Sequence, residues 1–298
     1  MEGKGAGSRA FPASRLTCIH PREVKLPAKK SQRKTVGRVG LARALSKLGY
    51  CSRTQAAEAI RAGRVTLNGK VQRDPEAPVR LKTDRIAVDG RAIEAGRKIY
   101  LMVNKPRGVV TTADDEKGRS TIYSCVPEGM PWVAPIGRLD MASEGLLLLT
   151  NDSEWAARIA APETHLDKTY HVRVRGAADE TLLNALTSGT RTAEGEMLRA
   201  KSARIVRRGD RNAWLEIVLD EGKNRQIRRM LDSLGLEVLR LVRIAIGPLA
   251  LGELDKGACR PLTREEKSSL DRAMSLAEGT SRTARVPTRV RTSRGANQ

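Results

Sequence analysis

The run Leu146-Leu147-Leu148-Leu149, followed by Thr150 and the turn-forming pair Asn151-Asp152, constrains the fold more than any other stretch. Four consecutive leucines with turn residues behind them predict a buried strand. Immediately ahead of it stands Ala134-Pro135-Ile136-Gly137-Arg138-Leu139-Asp140-Met141-Ala142-Ser143-Glu144-Gly145. This segment places one carboxylate, Asp140, beside an arginine on a turn braced by a rigid strand, and rigidity is what a site requires. Two readings stay open on these residues alone. The loop is either a connection, with Asp140 bonded to nearby backbone N–H groups or paired with Arg138, or a site built around Asp140.

Charge narrows the choice of partner. Lys+Arg 55 against Asp+Glu 34 gives a formal net charge of +21. Such an excess points to a polyanion, because neutralising phosphates with Lys and Arg releases counterions. Nucleic acid leads. A basic membrane-surface protein is the rival, but there is no long uncharged apolar stretch and no basic amphipathic helix with a Trp/Phe face. Aromatic content of 3% argues against rows of stacked bases. Cys18, Cys51, Cys125 and Cys259 lie far apart and form neither a CxxC pair nor a disulfide framework, which fits a reducing cytoplasm.

Much of the charge sits in the tails. Residues 1–38 carry nine Lys and Arg up to Lys34 against Glu2 and Glu23, with no apolar core of a secretory signal. A transit peptide is an alternative reading, since those are also basic and poor in acids. Residues 277–298 add Arg282, Arg285, Arg289, Arg291 and Arg294. Both tails are poor in large apolar residues and read as basic, disordered extensions.

Ordered sequence begins near Val39. Leu41, Ala44, Leu45 and Leu48 repeat at helical spacing, Gly49 stops that helix, and Ser52 with Gln55 forms a capping box for the next. The pattern then changes to period two, with Val65, Leu67 and Val71 around Asn68-Gly69, and Ile86, Val88 and Ile93 around Asp89-Gly90. Residues 39–95 therefore read as two helices followed by hairpins.

A second domain, residues 96–276, opens with the strand Tyr100-Leu101-Met102-Val103 leading into Asn104-Lys105-Pro106-Arg107-Gly108. Ser153 is placed to cap a helix containing Trp155, Ala156 and Ile159. Lys168, Tyr170, Val172 and Val174 fall on one face of an alternating strand. Thr181 to Leu186 suggests a helix, and Ala203–Val206 with Trp214–Leu219 a hairpin around Gly209-Asp210. Ile227, Met230, Leu231 and Leu234 then line one helix face and leave Arg225, Arg228 and Arg229 near the other, which suits phosphate at a helix start. A strand over Glu237 to Ile246 carries Arg243, and Thr263 with Glu266 caps a final helix.

The first module resembles the S-four RNA-binding domain through Leu41-x-x-Ala44-Leu45-Ser46-x-x-Gly49, Ser52-Arg53-x-x-Ala56 and Gly63-Arg64-Val65-x-x-Asn68-Gly69. The resemblance implies RNA contacts by Lys47, Arg53 and Arg64, which would position phosphates rather than read bases. The whole of Leu41 to Glu266 resembles the pseudouridine synthases of the RsuA class, which modify ribosomal RNA. Its marks are Asn104-Lys105-Pro106-x-Gly108, Gly137-Arg138-Leu139-Asp140 with Gly145-Leu146-Leu147, Lys168-Thr169-Tyr170, and Gly222-Lys223-Asn224-Arg225-Gln226-Ile227-Arg228-Arg229-Met230. Four motifs in family order carry weight that the short Gly-Arg-Leu-Asp match lacks alone.

The resemblance implies an α+β fold, with a mixed, mainly antiparallel sheet in the catalytic domain and a cleft across its middle. It makes Asp140 the catalytic aspartate, Tyr170 the residue packed on the target base and available to move its proton, and Arg228 the partner of Asp140. Arg138 would help hold the flipped nucleotide, with Lys168, Lys223, Asn224 and Arg225 as further RNA contacts. The expected activity is isomerisation of a ribosomal RNA uridine to pseudouridine, with no metal and no organic cofactor. In keeping with this, His20, His165 and His171 show no ligand spacing with cysteines or acids. The expected partner is ribosomal RNA or a ribosome assembly intermediate, with no membrane, for a cytoplasmic monomer. A noncatalytic RNA-binding or assembly protein is the competing reading, favoured by the tails and the first module. A glycosidase or nuclease is weaker still, because Asp140 has no paired carboxylate or metal cluster in the sequence.

Overall fold

The computed structural model describes residues 38–283 apart from 95, 114 and 165. The basic tails of the sequence reading lie outside the described residues, save for Arg38, the last residue of the first, and the helical backbone of residues 277–283 in the second. Helices Leu41–Lys47 and Arg53–Arg61 form as the spacing predicts, and Ser52 and Gln55 complete a reciprocal capping box. They pack through Leu41, Leu45, Ala56 and Ile60 onto a four-stranded antiparallel sheet that supplies Val65, Ile86 and Val88. Asn68 and Asp89 take positive φ before Gly69 and Gly90, the geometry of tight hairpin turns. The Gly49 carbonyl accepts from the backbone N–H of Trp132 at 3.0 Å and so joins this module to the larger one.

The larger module is built on a nine-stranded sheet. Its central path runs Ser202–Arg208, Asn212–Leu219, Lys168–Arg175 (the tyrosine strand), Val238–Ile246 (the arginine strand), Glu144–Thr150 (the leucine strand), Tyr100–Lys105 and Cys259–Pro261. Ala134–Ile136 pairs beside the second half of the leucine strand, and Leu249–Ala250 beside the arginine strand. All pairings are antiparallel except one, where the arginine and leucine strands run parallel over only Val242–Glu144 and Arg243–Gly145.

Every residue of the leucine strand is buried. Alternation divides its contacts, as it must in a pleated strand. Leu146 and Leu148 join Met102, Trp155, Ile159, Leu270 and Met274 on one side of the sheet, where helices Ser153–Ala160 and Arg264–Thr283 cover it. Leu147 and Leu149 join Leu101, Val103, Ile122 and Leu139 on the other side. That second side carries a separate core farther along, where Val172, Leu215, Ile217 and Leu241 meet helices Glu180–Ser188 and Gln226–Ser233. Tyr170 packs against both of these cores and therefore stands at the junction between them.

One helix start differs from the sequence reading. Asp152, not Ser153, caps Ser153–Ala160, because its carboxylate accepts from the N–H groups of Glu154 and Trp155, each at 3.3 Å. The Thr263–Glu266 capping box forms as predicted, with Glu266 N–H donating to Thr263 Oγ1 at 3.1 Å and Thr263 N–H to Glu266 Oε2 at 2.8 Å.

Candidate active site

The loop carrying Asp140 is held by its backbone carbonyls. Thr111 Oγ1 donates to Leu139 O at 2.8 Å, and Gly108 N–H donates to Met141 O at 2.8 Å. Arg228 Nη2 donates to Ala142 O at 3.0 Å. Lys105 Nζ donates to Asp140 O at 3.1 Å and to Ser143 O at 2.8 Å, with a third bond to Pro106 O. Carbonyls 139 to 143 thus all have donors, drawn from two distant segments, residues 105–111 and Arg228, which fixes the main chain while leaving the Asp140 carboxylate uncommitted to it. Such pinning holds a reactive group within the tolerance that chemistry demands.

Lys105 is fully buried, an unusual place for an ammonium without a carboxylate bond. Burial pushes its pKa down to about 8, opposed by the nearby charges of Asp140, Cys125 and Glu144. The three carbonyls supply one acceptor for each of its protons. Glu144, at the far end of the loop, is buried on a bidentate pair with Arg240 at 2.9 and 3.0 Å and a contact with Lys256 at 3.1 Å. Burial opposes ionisation of its carboxyl, but these cations win and hold its pKa below the ordinary value.

Close approach of two backbones sets the floor. Gly145 has φ of +103°, and a Cβ there would lie 2.2 Å from the carbonyl oxygen of Arg243. Pairing then carries one row of residues across five strands: Lys105 opposite Gly145, Gly145 opposite Arg243, Arg243 opposite Tyr170, and Tyr170 opposite Ile217. Directly opposed residues present their side chains on one face, so Lys105, Arg243 and Tyr170 share the face on which the two cores meet.

The arginine-rich segment forms the facing wall. Glu221 and Lys223 precede Arg225, which takes a left-handed conformation, φ 48° and ψ 29°, as the N-cap of Gln226–Ser233. A bulky non-glycine residue in this region is strained, and such strain gathers at sites. From there Arg225 Nη1 reaches Asp140 Oδ2 at 3.6 Å, with the Asp140 side chain 34% exposed.

Arg228 is the residue expected opposite Asp140. Arg225 makes the ion pair, because its backbone conformation turns it outward over the loop, while Arg228 is spent on the Ala142 carbonyl and keeps a buried Nε without a partner. Asp140 still acts on Arg228 as a favourable charge, although burial and the cations Arg225 and Arg107 together lower the arginine's pKa. Arg229 is not free for phosphate either, since it bonds Glu196 at 2.8 Å and Glu194 at 3.2 Å.

The remaining predicted residues fall in two places. Arg138 is exposed beside Asp140, Asn224 is exposed on the facing wall, and Lys223 bridges Glu196 and Glu221 at 3.3 Å each. Lys168, half-buried on the tyrosine strand, has its pKa lowered by burial and then by Arg243. Lys47, Arg53 and Arg64 lie on the first module. Arg53 is exposed, Lys47 faces Glu154 at 3.9 Å, and Arg64 forms a two-pronged pair with Asp89. Sequence reasoning missed Lys105 and Arg243 as site residues. The available signal was a lysine and an arginine in mostly apolar strands, where an unpaired charge needs a reason.

Among the described residues, no group of His, Cys, Asp and Glu is placed to hold a metal ion, and no helix is long and apolar enough to cross a membrane.

Comparison with known proteins matches residues 99–233 to the RNA pseudouridylate synthase family and residues 39–86 to the S-four domain. An RNA pseudouridine synthase of Aquifex aeolicus is 39% identical over 78% of this chain and 93% of its own length. The ribosomal large subunit pseudouridine synthase B of Bacillus subtilis is 36% identical over 77% of this chain and 94% of its own. A pseudouridylate synthase of known crystal structure superposes with a TM-score of 0.56 at 30% identity, covering 78% of this chain and 99% of the other.

Proposed function

We propose, for a chain that belongs to the RNA pseudouridine synthase family of isomerases, that its reaction is the site-specific conversion of uridine to pseudouridine in ribosomal RNA, carried by Asp140 without a cofactor. The observation that carries the proposal is the Asp140 loop itself: five carbonyls pinned, and one part-exposed carboxylate left to face Arg225 at 3.6 Å.

The reaction breaks the bond from N1 to C1′, turns the uracil and joins C5 to C1′. Asp140 supplies either a nucleophile at C1′ or a base that removes a sugar proton, and both roles need it ionised. Arg225 Nη1 lies 3.6 Å from its carboxylate, and Arg228 is held behind it on the Ala142 carbonyl. Tyr170, at the edge of both cores, offers a ring against which the flipped base packs. Exposed Arg138 and Asn224, with Lys168, line the path of the RNA strand, while residues 39–95 position the substrate through Arg53 and its neighbours. Residues 96–276 then constitute the catalytic domain. The protein acts as a cytoplasmic monomer on ribosomal RNA or an assembly intermediate.

The test is direct. Purified protein converts one uridine of a ribosomal RNA transcript in the presence of chelator, and Asp140→Asn abolishes conversion while RNA affinity persists. Full activity in the Asn variant would show that Asp140 is not the catalytic group.

A further inference from the structure

The arginine strand holds a cation with no established task. Arg243 is 6% exposed, its Nε donates to Leu146 O at 2.7 Å, and its Nη2 is buried without a partner. Among the described residues it forms no ion pair, and it lies near enough to another cation, Lys168, to lower that lysine's pKa. An unpaired buried charge is costly, so a fold that keeps one retains it against its own stability.

Its placement is specific. Arg243 sits directly opposite Tyr170 and on the same face, and one extra residue, Ile244, is accommodated between the Tyr170–Arg243 and Thr169–Ala245 pairs. Bulges of this kind re-aim side chains beside active sites. On the other flank, Gly145 has no side chain to fill the floor, and Lys105 follows in the same row. Beneath the place where the base packs, the floor is therefore positive.

We infer that Arg243 stabilises the negative charge that gathers on the uracil as its bond to the sugar breaks. This inference rests on the reading of the protein as a uridine isomerase. Whichever route is taken, the N1–C1′ bond breaks with its electron pair leaving on the base, spread over N1 and the carbonyl oxygens. At the sugar, Asp140 either adds to C1′ or takes the C2′ proton to leave a glycal. C5 then bonds to C1′ as the carboxylate leaves or the C2′ proton returns, the C5 hydrogen departs as a proton, and N1 takes one up. The base is anionic only between the first and last of these steps, so a fixed cation beside it lowers the barrier without tightening ground-state binding. A guanidinium, charged at all working pH, suits that task.

The experiment compares uridine with 5-fluorouridine at the target position, because fluorine withdraws electrons and makes the departing base a better leaving group. Single-turnover consumption of the target nucleotide and RNA affinity are measured for wild type, Arg243→Gln and Arg243→Lys. With uridine, the Gln variant is expected to be about 100-fold slower than wild type at unchanged affinity, with Lys recovering about tenfold of that. With 5-fluorouridine the Gln deficit shrinks to about tenfold or less, a change that loss of a merely structural contact does not produce. Equal deficits on the two substrates overturn the inference. So does a loss of affinity that accounts for the loss of rate, which would make Arg243 a phosphate contact. If the Gln variant does not fold, Lys alone decides: its deficit must be smaller on 5-fluorouridine than on uridine. Wild-type conversion, read first, tests the functional proposal separately.

Discussion

Gly145 and Arg243 approach so closely that the missing side chain of one makes room for the backbone of the other, with 2.2 Å separating a Cβ at position 145 from the Arg243 carbonyl oxygen. Neither backbone can yield without breaking the parallel pairing. Gly145→Ala is therefore expected to destabilise the protein by about 3 kcal/mol or more, from overlap and from a φ of +103° that alanine avoids. Urea unfolding followed by far-UV circular dichroism measures this. An unshifted midpoint would show that the strands can part at no cost.

Arg225 shows the opposite balance of stability and function. Its left-handed backbone, φ 48°, strains a residue with a long side chain. Arg225→Gly relieves that strain and is expected to raise stability by about 0.5–1 kcal/mol, since the half-exposed pair with Asp140 contributes little. RNA affinity should fall about tenfold as a cation leaves the cleft wall. Thermal melts and filter binding on the same preparation separate the two effects.

Lys105 predicts that stability and rate diverge with pH. Its folded pKa of about 8 lies below the ordinary value of 10.5, so the unfolded chain binds the proton more tightly. Between those values the unfolded state carries more protons, and this group's contribution to stability rises with pH. Loss of the proton leaves Lys105 Nζ with two N–H donors for its three carbonyl acceptors, Pro106 O and the loop carbonyls of Asp140 and Ser143. The isomerisation rate should decline above an apparent pKa near 8, without a parallel loss of fold by circular dichroism. A flat rate from pH 7 to 10 would remove Lys105 from this role.

Glu144 depends on Arg240. Arg240→Met leaves a buried carboxylate with only Lys256, whose side chain is 61% exposed, and should cost about 2–3 kcal/mol at pH 7. Because the folded pKa of Glu144 is depressed, its stabilising contribution is present above the unfolded value and lost as pH falls through the folded one. The deficit of the variant should consequently narrow in acid, as urea titrations at pH 7 and pH 3 would reveal.

Local rules made much of the fold legible. The leucine run, the Asn68-Gly69 and Asp89-Gly90 turns and the boxes at Ser52 and Thr263 are each decided by residues near one another in sequence. The alternation of Lys168 to Val174 likewise put Tyr170 on the core face. Two things were out of reach. Parallel contact between the leucine and arginine strands joins residues about a hundred positions apart, and no local pattern signals it. Which arginine faces Asp140 depended on the left-handed turn at Arg225, which residue type disfavours and tertiary packing imposes. Helical periodicity treats Arg225 and Arg228 as equivalent faces of one helix, whereas Arg225 precedes the helix.

The parallel seam has a mechanical consequence. Within the sheet, two residue pairs join the leucine strand to the arginine strand, whereas the lines on either side run to six and seven pairs. The seam is thus the softest line across the sheet, and the Asp140 loop ends on it. On the proposed function, a nucleotide entering between the two cores would bear on that line, next to Asp140 and Arg243, like a wedge on a hinge.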